Sequence, residues 1–172
     1  MKIQLFLKWL ISLSLFSSPL SAEVYVELSP GVIDIDTSAA TTRPIILDAR
    51  IGFSHPMYQL ELAVMTSVKD DSLNELTVDI PSVVSVFFHY IPFVHDSLKL
   101  HLIAGASQVK VDSSYANIAN SSDSFYGVSY GVGLEESFES MPQLKLSLDW
   151  IQLYSGDQLD ISSTSLGVHY VF

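Results

Sequence analysis

The sequence contains no cysteine. Disulfides, thiolate metal sites, cysteine nucleophiles and lipid attachment through an N-terminal cysteine are therefore excluded. Basic residues are also few, with eight Lys and Arg against 19 Asp and Glu and a formal net charge of −11. Because proteins hold nucleic-acid phosphates with clustered lysine and arginine, we expect no nucleic acid among the partners.

Charged residues of both signs together make up only 16% of the chain, whereas hydrophobic residues make up 48%. This balance excludes a disordered chain or a coiled coil. Sustained helical periodicity is missing after residue 22, so the pattern does not predict amphipathic helices. A chain of 172 residues is long enough for one domain with a sizeable core.

The first 22 residues have the pattern of a secretory signal peptide. Lys2 and Lys8 precede an apolar run at 9–16, and small residues lead to Ala22. The run is far shorter than the roughly 20 residues that a membrane-spanning helix needs. We predict cleavage after Ala22, so that 1–22 is a signal peptide and 23–172 is a single exported, acidic domain.

Eight segments of the mature chain alternate between large apolar and small or polar side chains, which is typical of half-buried strands. The predicted strands lie near 23–34, 44–54, 57–68, 81–91, 97–110, 124–136 and 142–154, with an eighth ending at 172. An even number of similar strands favours closure, because closure removes unpaired edges.

The predicted connections alternate in length. Short turns lie at His55 and Pro56, within 92–96 and near 139–141, whereas longer polar connections lie at 35–43, 69–80 and 111–123, with a shorter fourth at 156–159. Tight turns that alternate with longer polar loops are typical of an up-and-down barrel that crosses a membrane.

Glycines on the non-aliphatic face indicate which way each face points. Gly127, Gly131 and Gly133 would be poor choices on a water-facing strand, but small residues fit the crowded axis of a narrow barrel. The aliphatic face would then contact lipid, with aromatic girdles at both ends of the apolar band. The predicted girdle consists of Phe53, Tyr58, Tyr90, Tyr126, Trp150, Tyr170 and Phe172.

These patterns together predict an all-β fold, a closed eight-stranded antiparallel up-and-down transmembrane β-barrel. A soluble secreted barrel of the lipocalin type, with the aliphatic face inside around an apolar ligand, is the alternative. The missing Gly-x-Trp start and the absence of disulfides argue against that alternative.

Inward-facing charges predict a filled lumen. A turn at His55 and Pro56 would place Arg50 opposite Glu61, and a turn centred on Ser140 would place Glu135 opposite Lys145. Unpaired buried ions cost several kcal/mol each, so these groups must pair. The predicted lumen network, near the periplasmic side, consists of Glu27, Asp48, Arg50, Glu61, Lys99, His101, Glu135, Lys145, Asp149 and His169.

Two stretches carry a resemblance to a known family. Residues 165–172 (SLGVHYVF) resemble the C-terminal strand of bacterial outer membrane barrels. Residues 126–135 (YGVSYGVGLE) and 144–150 (LKLSLDW) are similar to paired strands of the OmpA-like, eight-stranded outer membrane proteins. The resemblance covers 23–172 and includes the barrel alone, without the periplasmic domain of longer members.

The resemblance implies a location in the outer membrane of a Gram-negative bacterium. It also implies contact with outer membrane lipid and lipopolysaccharide, and a monomeric state. In that family the last strand is read by the outer membrane assembly machinery, which gives Val168, Tyr170 and Phe172 the role of an assembly signal.

The sequence predicts no catalytic, cofactor or metal site. None of the five histidines has the His-x-Ser-Asn pattern of lipid A deacylase barrels, so a lipid A-modifying enzyme is an alternative only. The spacing of Asp70, Asp71, Asp157 and Asp160 does not fit a calcium-binding loop.

The long connections are strongly acidic. They contain Asp34, Asp36, Asp70, Asp71, Glu75, Asp79, Asp112, Asp123, Asp157 and Asp160, against Arg43, Lys69 and Lys110. Such loops could bind divalent cations that bridge lipopolysaccharide phosphates, or basic patches on a partner. We therefore expect a non-enzymatic role in envelope structure or surface interaction.

Overall fold

A computed structural model describes the backbone of residues 22–37, 41–73, 76–115 and 118–172, and the side chains of these residues outside 71–78 and 113–121. Nearly all of the predicted signal peptide lies outside the described residues, so it stays a prediction. No helix in the described part of the chain is long and apolar enough to span a membrane.

The described residues form ten strands. They are β1 (Glu23–Thr37), β2 (Thr41–Thr42), β3 (Ile45–His55), β4 (Tyr58–Lys69), β5 (Asp71–Leu73), β6 (Leu76–His95), β7 (Leu98–Tyr115), β8 (Ile118–Phe138), β9 (Met141–Ser155) and β10 (Leu159–Val171). The short strands β2 and β5 pair only with β1 and β6. The other eight pair antiparallel in chain order, and β10 pairs with β1 to close the barrel. The predicted fold is confirmed.

Tight turns define one end of the barrel, here named the short-turn end. The first connects β3 to β4 through Pro56 and Met57, because His55 pairs with Tyr58. The second contains Asp96, whose φ of 53° is a conformation that aspartate tolerates in turns. The sequence pattern predicted the first turn at His55 and Pro56, and this position is wrong by one residue.

This one-residue error moves the predicted register by two. Arg50 lies opposite Ala63, and Glu61 lies opposite Gly52. On the β8–β9 hairpin, a separate register shift between Ser137 and Phe138 places Glu135 opposite Ser147 rather than the predicted Lys145. Both predicted cross-strand pairings are wrong, but a shift of two keeps every side chain on its predicted face.

The opposite end, named the long-loop end, has more strand than the composition suggested. Residues 111–123 were expected to form a polar loop, whereas β7 extends to Tyr115 and β8 starts at Ile118. Strands β6, β7 and β8 have 20, 18 and 21 residues, against 12 in β4 and 13 in β10. A polar, serine-rich composition therefore did not exclude strands here.

Aliphatic side chains cover the outside of the barrel, as predicted. Val128 is 78% exposed and Leu62, Val86 and Leu148 are each about half exposed, whereas their sequence neighbours point inward. The lipocalin-type orientation, with these residues around an internal ligand, is therefore wrong.

The barrel interior is divided into two halves of different polarity. Along β1 from the short-turn end, the inward residues are Tyr25, Glu27 and Ser29, followed by Ile33 and Ile35. The same change occurs along β9, from Lys145 and Asp149 to Ile151 and Leu153. The apolar half contains Ile33, Ile35, Ile46, Ala63, Met65, Ile80, Val83, Phe87, Ile103, Val109, Ile151, Leu153 and Ile161, named here the lumen core.

Candidate functional site

The short-turn half of the interior holds the ionisable residues. Nine of the ten residues of the predicted lumen network are less than 9% exposed, and the Lys99 side chain is 20% exposed. Seven strands contribute them, and β6 adds His89, which is 2% exposed. These eleven residues, the predicted ten and His89, are named the charged layer.

Arg50 lies at the centre of the charged layer. Its Nε donates to Asp48 Oδ2 at 2.7 Å, and its Nη1 donates to Asp149 Oδ2 on β9, which is not a neighbour of β3. The same Nη1 lies 3.7 Å from Glu27 Oε1 and 3.6 Å from Glu61 Oε2. Although Arg50 and Glu61 are not cross-strand partners, the long arginine side chain reaches the carboxylate diagonally.

Glu135 is a second centre, where two lysines meet one carboxylate. Lys99 Nζ lies 3.0 Å and Lys145 Nζ 3.2 Å from Glu135 Oε1. Gln59 Nε2 donates to the other oxygen, Oε2, at 3.1 Å. The predicted contact between Glu135 and Lys145 is therefore present, although the two residues are diagonal neighbours rather than directly opposite each other.

Glu27 and His169 meet where β1 and β10 close the barrel. They are cross-strand partners, and His169 Nδ1 lies 3.5 Å from Glu27 Oε2. The hydroxyls of Ser29 and Ser147 each donate to Glu27 Oε1 at 2.7 Å. This carboxylate is buried and is contacted by side chains of β1, β9 and β10, in addition to Arg50 on β3.

Besides Ser29 and Ser147, three larger side chains of this site are absent from the predicted network. His89 Nε2 lies 2.9 Å from Glu61 Oε2, the Tyr25 hydroxyl donates to Glu61, and Gln59 bonds Glu135. Tyr25 also stacks on His169 with ring centroids 3.8 Å apart. The alternating pattern places all three side chains inward, and that signal could have found them.

The residues of the predicted aromatic girdle all lie on the outer face. Tyr58 is half-buried and stacks on Phe88, and Tyr170 and Phe172 have ring centroids 5.1 Å apart. Trp150 packs edge-on against Tyr130, with centroids 6.4 Å apart. The exposed members of the set are Phe53, Tyr90, Tyr126, Trp150, Tyr170 and Phe172, and Val168 faces outward with them.

Acidic side chains mark the long-loop end. Asp70, Asp123, Asp157 and Asp160 are exposed. Arg43 pairs with Asp34, and the Ser67 hydroxyl donates to Asp79. Asp79 and Asp112 are opposite each other on β6 and β7. Asp71 and Glu75 lie outside the described side chains. No group of three or more His, Asp or Glu side chains suited to a metal ion occurs among the described residues.

An apolar outside, an ionic interior and full closure by eight antiparallel strands together define the fold of a small transmembrane β-barrel. Comparison with solved structures agrees. The chain is similar to the attachment invasion locus protein Ail of Yersinia pestis, which was solved in complex with the heparin analogue sucrose octasulfate. The TM-score is 0.66 at 15% sequence identity, and the match covers 88% of this chain and 99% of Ail.

Two further structures show the same fold. Neisserial surface protein A has a TM-score of 0.64 at 14% identity, with 87% of this chain and 97% of that chain covered. The N-terminal β-barrel domain of Pseudomonas aeruginosa OprF has a TM-score of 0.60 at 14% identity, with 88% and 100% covered. No protein-family model and no curated protein sequence matches the chain.

Proposed function

We propose that this protein is a closed barrel of the bacterial outer membrane, with a role in envelope structure or surface interaction and no catalytic function. One observation carries the proposal. Side chains such as Leu62, Val86 and Leu148 are exposed while Arg50 and Glu61 are buried, the reverse of a water-soluble protein. Such a surface is stable only in contact with lipid.

We propose that the lumen is closed to ions and solutes. Two layers in series support this. The charged layer spans the short-turn half, and the cavity lined by Glu27, Glu61, His101 and Glu135 has a volume of about 10 Å³, the size of one water molecule. The lumen core places a cluster of buried apolar side chains in the other half.

We propose that the acidic long-loop end contacts lipopolysaccharide through divalent cations that bridge its carboxylates to lipid phosphates. The exposed Asp70, Asp157 and Asp160 support this, since hard cations prefer carboxylate oxygens. The Ail structure contains sucrose octasulfate, a polyanion. Carboxylates at this end of the present chain would repel such a ligand, so we do not extend that ligand to it.

We propose, from the resemblance of the last strand, that Val168, Tyr170 and Phe172 are recognised by the outer membrane assembly machinery, and that the mature barrel is a monomer. All three side chains face outward. The backbone N–H of Phe172 donates to Val24 O at 3.0 Å, so the last residue is bound to the first strand.

Membrane location and closure are tested separately. The protein should stay with outer membranes after a carbonate wash, and should migrate differently on gels before and after boiling. Release by carbonate would contradict the membrane proposal. In planar bilayers the refolded protein should show no large, stable conductance, and an open channel would contradict the closed lumen while leaving the location intact.

The loop proposal is tested by binding to a lipopolysaccharide layer with and without Mg²⁺. We expect Mg²⁺-dependent retention of the wild type in a detergent micelle and a loss of most of this dependence in the D70N/D157N/D160N variant. Asp96, an exposed residue at the short-turn end, supplies the matched control D96N, which should bind like the wild type. Unchanged binding by the triple variant would contradict the proposal.

A further inference from the structure

The fixed charges of the charged layer do not balance. Its carboxylates are Glu27, Asp48, Glu61, Glu135 and Asp149, five in all, and each is at most 5% exposed. Its permanent cations are Arg50, Lys99 and Lys145, three in all. If all the carboxylates are ionised and the three histidines are neutral, two negative charges remain uncompensated in a region of low dielectric constant, where they are strongly unfavourable.

The contact between two histidines limits where protons can reside. His89 Nδ1 and His101 Nδ1 are 3.3 Å apart, so one nitrogen donates and the other must accept. Only one of these two rings can therefore carry a second proton. That ring is His89, because its other nitrogen, Nε2, lies 2.9 Å from Glu61 Oε2. His101 is left as the neutral acceptor.

The second proton has a position on β10. His169 Nδ1 lies 3.5 Å from Glu27 Oε2 and 3.6 Å from Glu135 Oε2, between two carboxylates. Its ring stacks on Tyr25, whose electron-rich face favours a cationic partner. An imidazolium here compensates the acidic groups of β1 and β8 at once.

We propose that the charged layer is a two-proton binding site in which His89 and His169 are both charged and His101 is neutral. Two bound protons bring the layer to zero net charge. The groups that face the histidines come from six of the eight barrel strands: Tyr25, Glu27, Asp48, Arg50, Gln59, Glu61, Lys99, Glu135, Lys145 and Asp149. This inference goes beyond the proposed function, because it does not depend on conductance or on any surface partner.

The site opens to solvent in one direction. The lumen core covers it from the long-loop end, whereas the partly exposed Lys99 lies next to the short-turn end. Protons therefore exchange through the short-turn end. Release of both protons leaves two uncompensated negative charges inside the barrel. The folded barrel is therefore less stable in alkaline solution.

Linkage gives the size and sign of the effect. Histidine in an unfolded chain has a pKa near 6.5, so above about pH 7.5 the unfolded chain binds almost none of these protons. The folded barrel holds two, and its unfolding equilibrium constant therefore rises by about 100-fold per pH unit until the site releases them. Below about pH 5.5 both states hold these protons and the dependence disappears.

Urea unfolding of the refolded barrel in lipid vesicles, measured from pH 7.5 upward, tests this dependence. We expect about 100-fold per pH unit for the wild type and about 10-fold for H89Q and for H169Q. H101Q should keep the wild-type dependence, since glutamine offers an acceptor to His89. H95Q is the matched control, because the His95 side chain is 72% exposed in a turn.

Imidazole ¹⁵N chemical shifts of the wild type at pH 7.5 give a second reading that needs no variant to fold. We expect charged rings at His89 and His169 and a neutral ring at His101. A neutral ring at His89 or at His169 would overturn the proposal. Equal pH dependence of unfolding in the wild type, H89Q and H169Q would also overturn it, and would place the protons on carboxyl groups instead.

Discussion

Arg50 on β3 and Asp149 on β9 are 99 positions apart in the chain and form a buried ion pair inside the barrel. Because β1 and β10 lie between the two strands, this contact joins strands that are not paired with each other. Asp48, Glu27 and Glu61 lie around the same guanidinium. Arg50 is thus the cation on which most of the charged layer depends.

Replacing Arg50 with alanine should destabilise the barrel by about 3–5 kcal/mol, because several buried carboxylates lose their cation at once. Urea unfolding in lipid vesicles measures the change. Arg43 supplies the control, because it pairs with Asp34 and its side chain is 70% exposed. R43A should cost about 0–1 kcal/mol, as solvent-exposed pairs do. Equal losses in both variants would contradict a special role for the buried arginine.

Alternation divided the strand residues into two faces, and the glycines showed which of the two faces points into the barrel. The reason is physical: with a side-chain period of two, one face must be apolar and the other must be small or paired. It therefore predicted that Arg50, Glu61, Glu135 and Lys145 share the interior, even though their register was wrong. Register depends on which two residues form each turn, and Pro56 with Met57 is not distinguished from His55 with Pro56 by the alternating pattern.

The division of the lumen into halves was not predictable in the same way. Ile33, Ile46 and Ile151 lie at inward positions. Large aliphatic residues are unexpected there, because the alternating pattern predicts small or polar side chains on the inward face. Their common height emerges only once neighbouring strands are staggered, and stagger is a property of the closed barrel rather than of one strand. The extended hairpins were missed because the serine-rich stretch at 111–123 shows no sustained alternation of apolar and polar residues.

The lumen core should contribute much of the stability of the barrel. Phe87 is fully buried inside, and its neighbour Phe88 is 46% exposed on the outer face. F87A should destabilise by about 3–5 kcal/mol, because it opens a cavity in a packed interior. F88A should cost clearly less, since lipid chains can fill the space. Vesicle unfolding compares the two variants, and a larger loss in F88A would argue against a tightly packed lumen core.

Phe172 should act in assembly rather than in stability. Its side chain is 75% exposed, so F172A removes little packing and should change vesicle unfolding by less than about 0.5 kcal/mol. In cells, the same change should lower the amount of heat-modifiable barrel in the outer membrane several-fold. Phe53, another exposed aromatic residue at the short-turn end, gives the control F53A. Normal levels of F172A would contradict an assembly signal at this position.

The outer face offers the sharpest test of orientation. Val86 lies in the middle of the apolar stripe of β6, between Val84 and Phe88, and is 51% exposed. If it faces the centre of a bilayer, V86R should destabilise by about 2–4 kcal/mol, the cost of arginine at the membrane midplane. Val68, which is 62% exposed beside Lys69 at the long-loop end, should tolerate V68R at a cost of about 0–1 kcal/mol. Unfolding in vesicles measures both. If water rather than lipid covered this face, both arginines would be tolerated equally, and the membrane orientation would have to be abandoned.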